Sequence, residues 1–72
     1  MQSATIARLK TLRTSLQSAI STLQSQRAAI QTKIANGTAT DSDLQALEEL
    51  ADQIAAKTWD KLMAANELGG LV

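Results

Sequence analysis

The chain contains no cysteine, no histidine and no proline, and one tryptophan is its only aromatic residue. Without cysteine there is no disulfide, and without thiol or imidazole there is no ordinary zinc site. The same absences remove the commonest nucleophiles and general bases, leaving carboxylates, hydroxyls and lysines. No run approaches the roughly 18 apolar residues of a membrane span. The first ten residues, MQSATIARLK, lack the unbroken apolar segment of a secretion signal. No enzymatic activity, cofactor, bound metal, small-molecule substrate or membrane role is therefore expected. The lack of cysteine suits the cytoplasm and an unprocessed exported subunit equally well, so the compartment is open, a virion or the cytoplasm being favoured.

What is present is helix-compatible. Leucine, isoleucine and alanine supply most of the apolar material. Seventy-two residues make one domain at most, and a marginal one unless it associates. Net charge is zero, but the two signs are segregated. Residues 1–40 carry Arg8, Lys10, Arg13, Arg27 and Lys33 and no acid; residues 41–72 carry seven acids and only Lys57 and Lys61. The halves are thus +5 and −5.

Ile6, Leu9, Leu16, Ile20, Leu23, Ile30 and Ile34 recur at steps of three and four, the narrow stripe of a packed helix. Arg13 and Arg27 occupy two positions of that stripe, where their methylenes can lie on apolar neighbours. A second series, Leu44, Leu47, Ala51, Ile54, Thr58, Leu62 and Ala65, predicts a second helix, with Leu50 and Trp59 on its flanks. Between them, Asn36-Gly37 reads as a helix stop, and Thr40 or Ser42 as the next cap. Ser42 with Gln45 fits a capping box, and Asp41 and Asp43 suit the positive end of the helix dipole.

The expected fold is all-α: an antiparallel two-helix hairpin that completes a bundle by self-association or by docking onto a partner. The boundaries are a first helix over 3–36, a turn over 37–41, a second helix over 42–68 and a short apolar tail over 69–72 after Gly69-Gly70. Folding about residues 38–39 sets Leu23 opposite Ile54 and Ile30 opposite Leu47. Arg27 then reaches Glu48 or Asp52, and Arg13 lies near Asp60 and Glu67, so intramolecular ion pairs are expected to use up the charge split. Glu48 and Asp52 share a face at i, i+4, which reads as an ordinary solvated acidic surface.

Leu12, Leu50, Trp59, Met63, Leu71 and Val72 find no place inside one hairpin and are the expected protein-interface residues. The segment TSLQSAISTLQSQ, residues 14–26, carries no charge, and a Ser/Thr/Gln face is packed against protein at lower desolvation cost than a charged one. The architecture is similar to subunits of secretion needles and to small accessory proteins of phage particles, although the aromatic-containing motif of needle subunits is absent. That resemblance implies a structural or accessory subunit of a larger assembly, most plausibly a virion or similar repeated array, whose partners are itself or other subunits. In fold and length the chain also resembles the small helical-hairpin dimers that bind RNA loops. This alternative implies nucleic-acid contact through Arg8, Lys10 and Arg13; the acidic second half and the lack of an aromatic beside those cations disfavour it.

Overall fold

A computed structural model describes the backbone of residues 2–71 and the side chains of residues 3–70. It contains two helices, α1 (Gln2–Ala35) and α2 (Asp41–Leu71), packed along each other as a hairpin; the described residues include no strand. The rod measures 54 × 14 × 14 Å. Its radius of gyration is 16.2 Å, against about 11 Å for a compact chain of this length. It exposes 5071 Å², where a compact chain would expose about 4,300 Å².

The turn is closed by backbone geometry on one side and by side chains on the other. Gly37 adopts a φ of 73°. The Gly37 N–H donates to the Ile34 carbonyl (3.1 Å) and the Thr38 N–H to the Lys33 carbonyl (2.9 Å), the paired bonds of a Schellman motif. Across the turn, the Asp43 N–H donates to Thr40 Oγ1 (3.2 Å) and the Thr40 N–H donates to Asp43 Oδ2 (3.0 Å). This reciprocal pair is a capping box two residues earlier than the Ser42–Gln45 pair expected from sequence. A charged carboxylate is the stronger acceptor, and it lies where the helix dipole favours negative charge.

Lys33 Nζ adds an ion pair to Asp43 Oδ1 at 3.5 Å, linking the two ends of the turn. The Thr40 N–H, helped by the Thr40 hydroxyl and Lys33, holds the Asp43 carboxyl below its ordinary pKa of 3.8. A depressed carboxylate pKa stabilises the fold fully above the unfolded value, and that contribution fades as pH falls through the folded one. Helix content should therefore hold from neutral pH down to about 4 and then decline. Far-UV dichroism of Asp43→Asn should show a flatter acid limb; an identical limb would remove this cap as the cause.

Ile20, Leu23 and Ile30 of α1 and Leu50, Ile54, Ala64 and Leu68 of α2 are the buried apolar residues. Leu23, Ile30, Leu50 and Ile54 form one cluster, with Ala46 and Leu47 packed against it. Further toward the termini, the Lys61 ammonium donates to Gln17 Oε1. Lys57 and Lys61 are both half-buried, their stems lying along the helix contact.

The inward face of α1 is the Ile/Leu stripe read from sequence as far as Ile30, Ile34 being 42% exposed; that of α2 is rotated from the expected one. Leu50 is only 8% exposed, so it is a core residue and not an interface residue. Leu44 and Leu62, expected inside, are 47% and 48% exposed. The apolar arc of α2 is wider than one neighbour can cover, and α1 packs on the half centred on Leu50, Ala64 and Leu68.

The second stop signal does not act as one. α2 continues through Gly69 and Gly70 to Leu71, and Gly37 is the single described glycine with positive φ.

Candidate protein-docking surface

Trp59 is 61% exposed, the most exposed of the described large apolar side chains, and lies on the side of α2 away from α1. Residues three and four apart share a helix face. Trp59 is thus flanked by Ala55 and Ala56 on one side and by Leu62 and Met63 on the other. A substantial exposed apolar patch round an aromatic residue is the usual composition of a protein-binding hot spot.

Met63 also forms part of the rim of an open groove between the helices, about 340 Å³ in volume. Leu9, Leu12 and Leu16 supply the α1 side; Asp60, Met63, Ala64 and Glu67 supply the α2 side. Apolar surface therefore runs from Leu12, 47% exposed, across the groove and over Met63 to the indole. Two carboxylates border it. The arrangement offers adhesion: a shallow apolar slot with an anionic edge, wide enough for side chains of another helix.

Of the residues singled out from sequence, Leu12, Met63 and Trp59 come together on this surface. The Leu71 side chain and Val72 lie outside the described residues. Leu9 and Leu16 were legible as stripe members, and the groove between them and α2 was not, because it depends on how closely the helices approach.

The expected ion pairs do not form. Among the described residues, Lys33–Asp43 is the one ion pair. Arg13 is exposed and lines a second, more polar groove with Thr14, Gln17, Ser18 and Lys61. Arg27 is half-buried, and its Nε is shielded from water with no hydrogen-bond partner. Glu48 and Asp52 are exposed, on the side of α2 turned away from α1. The rotation of α2 that brings Leu50 inward carries these acids out of reach of Arg27.

Arg8, Lys10 and Arg13 are all exposed. Positions two apart on a helix point about 200° from each other, so Arg8 and Lys10 project to opposite sides of α1. The described residues contain no group of three or more His, Cys, Asp or Glu able to hold a metal ion, and no helix long and apolar enough to cross a membrane. Comparison with protein-family models, curated proteins and solved structures returns no match.

Proposed function

We propose that this chain is a non-enzymatic assembly subunit that packs by helix contacts into a larger protein complex, a phage particle or similar repeated array being the kind of structure it suits. The observation that carries the reading is the exposed indole of Trp59, continuous through Met63 with the groove at Leu12. The rod's excess surface supports it, since a narrow two-helix hairpin leaves the outer half of each apolar arc in water. So does the neutral net charge, which sets no long-range repulsion between copies.

Trp59→Ala tests it. The side chain makes no buried contact, so the helix signal and melting temperature should stay within the small range of surface substitutions, about 0.5 kcal/mol. Association measured by sedimentation should weaken by about tenfold, as expected for truncating an aromatic anchor. A variant that melts and sediments like the parent would refute the reading.

A further inference from the structure

The flank of the hairpin opposite the groove is built differently. There α2 presents a row that its own core leaves uncovered: Leu44, Ala51, Ala55, Thr58 and Leu62, all exposed. Beside it, α1 presents an uncharged face that includes Thr14, Gln17, Ser21 and Gln24. Much of that polar face is already satisfied internally. Thr14 Oγ1 donates to the Lys10 carbonyl (3.0 Å), Gln17 Nε2 donates to Ser21 Oγ (3.2 Å), and Gln17 Oε1 accepts from Lys61. Covering such a face leaves few orphaned groups.

Charge says what covers it. α1 holds five cations and no acid, and α2 holds seven acids and two lysines, yet Lys33–Asp43 is the one described ion pair between them. The other charges of both signs make no ion pair among the described residues, and Arg27 Nε is hidden from water without a partner. We propose that a second copy of this chain covers this flank, lying side by side with both turns at the same end, so that α1 of each copy runs along α2 of the other. Reversing one hairpin would instead set basic α1 on basic α1 and acidic α2 on acidic α2. The parallel arrangement gives every helix two neighbours of opposite sign.

The register follows from the hairpin's own. Gln17 is level with Lys61, so Arg27 is level with Ala51 and Gln24 with Ile54, between Ala51 and Ala55. A two-fold axis along the rod preserves these levels. Gln24 of one copy then meets Ala51 and Ala55 of the other, whose small side chains permit close approach. Glu48 of the second copy lies about 4.5 Å along the axis from the level of Arg27, within reach of a guanidinium whose Nε has no partner inside the hairpin. This contact deepens the assembly reading, on which it rests, by naming the first partner. It leaves the Leu12 groove free for the next one, with Trp59, one turn from Ala55, at the border of the two contacts.

Because the chain has no cysteine, paired thiols report on the contact directly. Gln24→Cys and Ala55→Cys variants, refolded together in equal amounts and mildly oxidised, should give the mixed disulfide dimer well above its statistical share. Ala55→Cys crosslinking as strongly to itself would indicate the antiparallel arrangement and overturn the proposal; so would the absence of any crosslink. Glu48→Arg, at an exposed position, should weaken dimerisation by about tenfold in sedimentation. A Glu48→Arg chain that dimerises like the parent also overturns it. If the thiols fail while Trp59→Ala still disrupts assembly, this contact falls and the assembly reading stands; if both fail, both fall.

Discussion

Leu50→Ala should unfold most of the chain, not merely loosen an assembly. The side chain is 8% exposed and belongs to the one cluster that joins the two helices near the turn, with Leu23, Ile30 and Ile54. Truncating a buried leucine costs about 2–5 kcal/mol through lost transfer energy and the cavity left behind. A 72-residue domain has about 4–11 kcal/mol in total, and this rod sits low in that range because so few of its side chains are buried. Thermal melts followed at 222 nm, taken at several protein concentrations, should show a fall in midpoint at every concentration. An interface residue would lower the midpoint only where the chain associates. A parental melting curve for Leu50→Ala would mean that the Leu23–Ile54 cluster does not hold the hairpin together.

Alanine at the glycines should act in opposite directions at the turn after α1 and in the last turn of α2. At Gly37, φ is 73° and no heavy atom lies within 4 Å of where a Cβ would stand. The cost there is purely backbone strain, about 1–2 kcal/mol, and Gly37→Ala should lower stability by that amount. Gly69 and Gly70 lie inside α2 with equally open surroundings and no positive φ. Replacing both by alanine removes two flexible residues from a helix and should add about 1–2 kcal/mol. Urea titrations would separate the three chains cleanly. Loss of stability in the Gly69→Ala/Gly70→Ala variant would restore those glycines as a helix stop.

The fold was legible where a residue's role is set by local chemistry. Asn36-Gly37 announces its turn because few other residues take positive φ without strain, and the Ile/Leu steps from Ile6 to Ile30 allow one inward face. α2 was legible as a helix but not in its rotation. Its apolar residues fill two adjacent rows, one through Leu44, Ala51 and Leu62 and one through Leu50, Ala64 and Leu68. Periodicity ranks the rows by size, and packing chose the row with the smaller Ala64 and the long-stemmed Lys57 and Lys61. Leu50 was misplaced for that reason, and the ion pairs of Arg13 and Arg27 with it. Trp59 and Leu12 were easier, since each breaks the pattern of its own helix. The groove between Leu12 and Met63 depends on the separation of two helices, which no single stretch of sequence encodes.

The Schellman motif, the Thr40–Asp43 box and the Lys33–Asp43 pair gather at one end of the rod, and the buried cluster runs from there to its middle. Contacts there join residues close in sequence, so they form at the least entropic cost, and each later pair closes a longer loop. The molecule behaves like a zip fastened at the bend. It closes outward from Gly37, and under tension applied at its two ends it opens in reverse, one pair at a time, with amide protons near residues 10 and 65 exchanging well before those near 30 and 50.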